Sequence, residues 1–240
     1  MTEPAGIPTA GIPTTARAIL AIAALTLRRV SRGRTLWVAA FIALVPVAFG
    51  TVLRSQGPRR DLADEMLTFQ LLVLAVLPPM FIAASIGEEI EDRTITYLWS
   101  RPISRWAVLI GKLLALAPIA MVLVVVSWHL GCALGLESPP PARTHAALAG
   151  ATLVVSAVAT GIAVLVPRHG MALTIGYMLF DFWIGLMPAS IQNLSVLHHV
   201  TSISFPPPEG TDVPNAVTWL AVVAAGWLDL GLWQIRRLEA

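Results

Sequence analysis

The segment from Gly87 to Trp106 is the most charged part of this chain. Four carboxylates stand there within five positions, at 88, 89, 91 and 92, and Arg93 follows them directly. Paired carboxylates can bind a metal ion or transfer protons, and a dense charged patch can also dock on a partner protein. The segment is therefore the first candidate for either chemistry or protein contact.

Glu88-Glu89-x-x-x-Arg93 matches the E-E-x-x-x-R signature of intramembrane prenyl-protein (CAAX) proteases. Enzymes of that kind need further metal ligands, usually histidines on neighbouring helices. Their second motif, F-x-x-x-H, is missing because no histidine of this sequence has Phe four residues before it. An intramembrane protease is therefore an alternative that rests on one motif of two.

The histidines offer a second possible chemistry. His129, His145, His198 and His199 lie near predicted ends of apolar runs, but no Cys or carboxylate completes a ligand set. No Gly-x-Ser-x-Gly elbow marks a nucleophile, and the single Cys132 excludes an internal disulfide. We predict no catalytic, cofactor-binding or metal-binding residue on this chain.

Two carboxylates lie inside apolar runs, where a charge is costly. Asp181 falls near the middle of one run, with Tyr177 one turn earlier, and Asp229 falls within about two turns of the end of the last run. For Asp181 we leave open two roles, in the transport pathway or in helix association, and, as the simpler alternative, a hydrogen bond to a neighbour such as Tyr177 or protonation of the carboxyl group. Asp229 and Lys112 stand nearer the ends of their runs, where a side chain can extend to the interface.

The composition indicates an all-α integral membrane protein. Of the 240 residues, 56% are hydrophobic and 12% charged, and the mean hydropathy is +0.75. No stretch outside the apolar runs is long enough to bury the core of a separate catalytic domain. Six runs are long enough to cross a bilayer: 35–53, 66–86, 107–128, 146–166, 171–189 and 216–235.

The basic residues predict the orientation of these six spans. With the N-terminus in the cytoplasm, twelve of the sixteen Lys and Arg residues fall on the cytoplasmic side, and only Arg54, Arg59, Arg60 and Arg143 fall outside. Both termini are then cytoplasmic, and the outer loop 191–215 has no Lys or Arg. The small net charge of +2 gives no support for a nucleic-acid partner.

Two segments precede the spans. Residues 1–15 repeat Ala-Gly-Ile-Pro-Thr and are predicted to form a flexible N-terminal tail. In residues 16–34 a ten-residue apolar stretch is bracketed by arginines, and ten residues of helix cover only about 15 Å. We predict an amphipathic interfacial helix for 16–34 and a six-helix transmembrane domain for 35–240.

Prolines and small residues predict how the spans bend and pack. Pro46, Pro78-Pro79 and Pro118 interrupt the first three spans and favour kinks. The fourth span is rich in Ala, Gly and Ser, and Gly131-x-x-x-Gly135 ends the third. These faces should pack closely on other helices, either in this chain or in a second copy.

The charged segment faces the cytoplasm in this orientation. Ile95, Leu98 and Trp99 follow its carboxylates at helical spacing, which predicts a short amphipathic helix whose apolar face needs a partner. The acidic residues, Arg-Thr-Ile-x-Tyr-Leu, Ser-Arg-Pro-Ile-Ser-Arg and Gly-Lys follow one another between Gly87 and Lys112. This run resembles the permease subunits of ATP-binding-cassette (ABC) transporters of the type-2 exporter family.

The resemblance implies that the cytoplasmic loop 87–106 couples the chain to a separate ABC ATPase. No G-x-x-x-x-G-K-[ST] phosphate loop occurs here, so ATP and magnesium would bind to the ATPase. It further implies two ATPase copies, a second permease copy and a bacterial plasma (inner) membrane. An ATP-independent channel or carrier is the alternative within transport. The implied coupling residues are Glu88, Glu89, Glu91, Asp92, Arg93, Thr94, Leu98, Trp99, Arg101, Pro102 and Arg105.

Overall fold

The computed structural model describes residues 15–55, 62–91, 104–136, 141–187, 190–204 and 212–237. Every regular element among these residues is helical, which confirms the all-α prediction for them. Short 3₁₀ turns occupy Pro167–His169 and Ser190–Leu194. The α-helices are α1 (Thr15–Ser31), α2 (Arg34–Ala43), α3 (Val45–Ser55), α4 (Leu62–Glu91), α5 (Arg105–Gly135), α6 (Ala142–Leu165), α7 (Gly170–Gly185), α8 (Val196–Ser204) and α9 (Val213–Arg237).

Five helical stretches of the described residues are long and apolar enough to cross a membrane. They are Arg34–Ser55, Ala63–Ile90, Arg105–Gly135, Ala142–Leu165 and Val213–Arg237. The remaining predicted span, 171–189, corresponds to α7, whose 16 residues form about 24 Å of helix. That length is below the about 30 Å of a bilayer's hydrocarbon core. The chain is thus a multi-pass membrane protein.

The first span is interrupted at the position where Pro46 predicts a kink. Helix α2 ends at Ala43, Leu44 is a turn residue, and α3 begins at Val45. Proline provides no N–H for the helix ladder, so a continuous helix is unfavourable there. Helices α4 and α5 remain α-helical through their own prolines.

Helix α6 is the centre of the bundle and contacts α4, α5, α7, α8 and α9. Its small residues permit close approach, because a Cβ atom at Gly161 would lie 2.7 Å from the carbonyl oxygen of Trp227 on α9. A Cβ atom at Gly135 of α5 would similarly lie 3.0 Å from Cα of Gly50 on α3. The close packing predicted for these small residues therefore occurs within this chain.

The exterior of the bundle is apolar as well as its core. Trp37 and Phe41 on α2 are 80% and 74% exposed, and Phe180 and Trp183 on α7 are 60% and 64% exposed. A water-soluble protein rarely exposes so many large apolar side chains, whereas a protein surrounded by lipid does so without cost.

Candidate functional site

The described part of the predicted coupling segment lies where α4 ends and α5 begins. Glu88 and Glu89 stand in the last turn of α4, Glu91 is its final residue, and Arg105 is the first residue of α5. The other predicted coupling residues lie outside the described residues: Asp92, Arg93, Thr94, Leu98, Trp99, Arg101 and Pro102. The described part of the site therefore consists of the end of α4 and the start of α5.

A buried lysine joins these two helices. Lys112 of α5 is 2% exposed, and its Nζ lies 2.8 Å from Oε2 of Glu89 on α4. The same Nζ donates hydrogen bonds to the carbonyl oxygen and to Oγ of Ser85, the latter at 3.0 Å. A buried ammonium group needs such partners because its desolvation is otherwise costly. Lys112 thus fixes the last turns of α4 to α5.

A second contact holds α4 from another side. A Cβ atom at Gly87 would lie 2.6 Å from the carbonyl oxygen of Pro167, in the 3₁₀ turn between α6 and α7. Only a residue without a side chain allows this approach of the two backbones. The end of α4 is therefore packed against the end of α6 as well.

Helix α1 packs on the same end of the bundle. A Cβ atom at Gly111 of α5 would lie 2.9 Å from the carbonyl oxygen of Ile19 on α1. Arg29 of α1 lies 3.5 Å from Glu88 of α4, and both side chains are largely exposed. The exposed ion pair contributes little energy, so the packing at Gly111 is the stronger contact. The last turn of α4 thus contacts α1, α5 and the Pro167 turn.

Asp181 occupies a separate buried position on α7. It is 1% exposed, and its carboxylate accepts hydrogen bonds from N–H of Val196 at 3.1 Å and of Leu197 at 2.9 Å, and from Oγ of Ser195 at 3.1 Å. Val196 is the first residue of α8, so the carboxylate caps the N-terminus of that helix, where a negative charge is favourable. Asp181 connects α7 with α8.

Tyr177 and Asp229 have different surroundings from Asp181. The ring of Tyr177 packs edge-on against that of Trp227 on α9, with ring centroids 5.5 Å apart. Asp229 of α9 is exposed. The described hydrogen bonds of the Asp181 carboxylate come from Ser195 and from the first two residues of α8.

The sequence model of a family described as ABC-2 family transporter protein matches residues 27–185, well over half of the chain. The chain belongs to the ABC-2 transporter family. No curated protein matches it. The matched residues of this ABC-2 protein extend from the end of α1 to the end of α7. They therefore include the end of α4, Lys112 and Asp181, whereas α8 and α9 follow the matched region.

Members of the ABC-2 family are membrane components of transporters, and this agrees with the permease resemblance. For the protease alternative, Oε2 of Glu89 in its motif pairs with Nζ of Lys112 at 2.8 Å. Within the described part of the chain, no three His, Cys, Asp or Glu side chains group together as a metal site would require.

Four of the five histidines of this ABC-2 protein form two pairs. Nδ1 of His129 lies 3.4 Å from Nε2 of His145, and the rings of His198 and His199 are 5.4 Å apart. Nε2 of His199 lies 2.8 Å from the carbonyl oxygen of Asn193. Burial, together with the neighbouring His199, lowers the pKa of His198 and favours its neutral ring.

Sequence reasoning missed a buried polar cluster beside the break in the first span. Gln70 of α4 is fully buried, and its Nε2 donates to the carbonyl oxygen of Val124 at 2.8 Å. Oγ of Ser127 on α5 donates to the carbonyl oxygen of Ala43 and lies 3.2 Å from Oε1 of Gln70. A glutamine within an apolar run was the available signal, since such a residue needs internal partners.

Proposed function

We propose that this ABC-2 protein is the permease subunit of an ATP-driven exporter in a bacterial plasma membrane. The family match carries the permease assignment. Exporter direction follows from the type-2 resemblance of the run 87–112. ATP and magnesium would bind to a separate ABC ATPase, present in two copies, and the permease would provide the pathway.

The packing around α4 favours loop 87–106 as the coupling element. Lys112 connects Glu89 to α5, and Gly87 lies against the Pro167 turn. A displacement of the loop by an ATPase would therefore be passed to several packed helices rather than absorbed by one flexible end. Glu89 would take part in the coupling through its internal contact with Lys112, whereas Glu88 is exposed and able to contact a partner protein.

The direction of the helices favours six crossings with both termini on the cytoplasmic side. Helix α6 ends beside the end of α4, at the Gly87 contact. Helix α9 runs parallel to α6. Arg143 near the start of α6 and Val213 at the start of α9 line one groove, and Gly161 and Gly231, each 18 residues further along its helix, pack against one another. The chain must then cross between the end of α6 and the start of α9, and α7 lies in that connection.

The exposed aromatic residues support pairing with a second copy. Trp37 and Phe41 of α2 and Phe180 and Trp183 of α7 are exposed, and both helices contact α4. Aromatic side chains are enriched at protein interfaces, where they bury large areas. A second permease seated against α2 or against α7 would bury one of these aromatic pairs and complete a pathway between two copies.

Capture of the ATPase from native membranes tests this function. The tagged permease is purified from its source membranes, and the eluate is examined for a protein with a G-x-x-x-x-G-K-[ST] loop and for vanadate-sensitive ATP hydrolysis. We expect both with the unmodified chain. Trp99→Asp should abolish both, because a charge on the apolar face of the loop opposes docking.

Trp233→Asp is the matched control. Trp233 is 47% exposed near the end of α9, where Arg237 lies over its ring. This variant should retain the ATPase. Equal retention by Trp99→Asp would contradict coupling through the loop, and transport activity without any captured ATPase would favour a channel or carrier.

A further inference from the structure

A long apolar groove opens on the side of the bundle between α6 and α9. Its cavity has a volume of about 810 Å³, within the range of pockets that bind small molecules. Helix α5 and Ile203 of α8 complete its walls. We call this cavity the lateral groove. Arg143, at the start of α6, is the charged residue among those that line it.

The length of the lateral groove corresponds to one leaflet of a bilayer. Its lining extends along α6 from Arg143 to Ala157 and along α9 from Val213 to Leu228. At 1.5 Å per residue these stretches are about 21 Å long. One leaflet offers about 15 Å of hydrocarbon and roughly 5–7 Å of headgroup layer. A lipid could therefore lie in the groove with its headgroup at the Arg143 end.

The groove lies beside the first half of α6, before the close contact of α6 with α9 at Gly161. Gly161 is packed against the backbone of α9, whereas a Cβ atom at Gly150, three turns earlier, would meet nothing within 4 Å. Glycine costs about 1 kcal/mol relative to alanine inside a helix, and close helix packing does not account for it at Gly150. The missing side chain at Gly150 makes the groove deeper at that position.

Charge identifies the class of ligand. Arg143 is exposed, and none of the described residues forms an ion pair or hydrogen bond with its side chain. A guanidinium group binds phosphate oxygens in a bidentate fashion, and the other lining residues offer apolar contact.

We propose that the lateral groove binds one anionic phospholipid, with its acyl chains along Gly150 and its phosphate at Arg143. Such a lipid fills the groove lined by α6 and α9 and contacts both helices. In the orientation proposed above it belongs to the outer leaflet. The site does not depend on which substrate the permease transports.

Native mass spectrometry of the full-length purified protein tests the proposal. The protein is titrated with dipalmitoyl phosphatidylglycerol or with dipalmitoyl phosphatidylcholine, and retained lipid is counted per chain. We expect one phosphatidylglycerol, bound at least about tenfold more tightly than phosphatidylcholine, as a charge-assisted hydrogen bond provides. Arg143→Gln should remove this preference, and Gly150→Leu should reduce retention of both lipids by about tenfold or more.

Gly226→Leu is the matched control. Gly226 is a helical glycine of α9 that also has nothing within 4 Å of its Cβ position, and it does not line the groove. This variant should bind lipid like the unmodified chain. Undiminished binding by Gly150→Leu, or equal binding of the two lipids by the unmodified chain, would overturn the proposal. A disulfide-linked dimer of Gly150→Cys would assign the groove to a second copy instead.

Discussion

Lys112 is the residue on which the position of α4 depends most directly. Its replacement by methionine keeps the aliphatic length but leaves the Glu89 carboxylate facing α5 without its 2.8 Å partner. Removing one partner of a fully buried ion pair costs about 3–5 kcal/mol, and we expect about 2 kcal/mol for Lys112→Met because Glu89 is partly exposed. Chemical unfolding in detergent micelles measures this loss.

Arg29→Met provides the comparison, since the exposed Arg29–Glu88 pair should contribute less than about 1 kcal/mol. The double variant Lys112→Met, Glu89→Met should be more stable than Lys112→Met alone, because the carboxylate that lost its contact with Lys112 is then absent. If Lys112→Met and Arg29→Met unfold at the same denaturant concentration, the buried pair does not hold α4 to α5.

At the scale of elements, Asp181 determines the attachment of α8. Asp181→Ala removes the acceptor for the N–H groups of Val196 and Leu197. Loss of a cap costs about 0.5–2 kcal/mol, so hydrogen exchange in residues 196–204 should accelerate by about two- to thirtyfold. Peptide-resolved hydrogen exchange by mass spectrometry measures the change, and Asp229→Ala, at an exposed carboxylate, should leave it unaltered.

The same experiment separates the two roles that the sequence left open for Asp181. Faster exchange in α8 means that the carboxylate acts in helix association. If Asp181→Ala abolishes export while exchange in α8 stays as in the unmodified chain, the carboxylate belongs to the transport pathway instead.

The elements that the sequence predicts are those that form because of residues within one short segment. Long apolar runs located the five helices able to span a membrane, and Pro46 located the break between α2 and α3. Helix α8, within the predicted outer loop 191–215, is only 9 residues long and is capped by a residue from another helix. Local sequence favours so short a helix only weakly, and its stability comes from tertiary packing.

For the candidate site, the sequence predicted which residues are notable but not which residues they contact. The charge pattern identified Glu88 and Glu89 as notable, but their different roles depend on partners from other helices. Nothing near Glu89 in sequence specifies Lys112 as its neighbour, and nothing near Gln70 specifies Ser127. Such pairings are fixed when helices pack, and no single segment of the sequence encodes them locally.

At the scale of the whole molecule, the exposed aromatic residues predict where a second copy binds. We expect Phe180→Cys to form a disulfide-linked dimer when membranes are oxidised with copper phenanthroline, because a two-fold axis that passes beside α7 places the two copies of residue 180 near one another. The native Cys132 is buried and should not react. Val122→Cys is the control and should remain monomeric, although Val122 of α5 is 56% exposed. Equal cross-linking at both positions would indicate random collision, and absence of the Phe180→Cys dimer would contradict pairing about an axis beside α7.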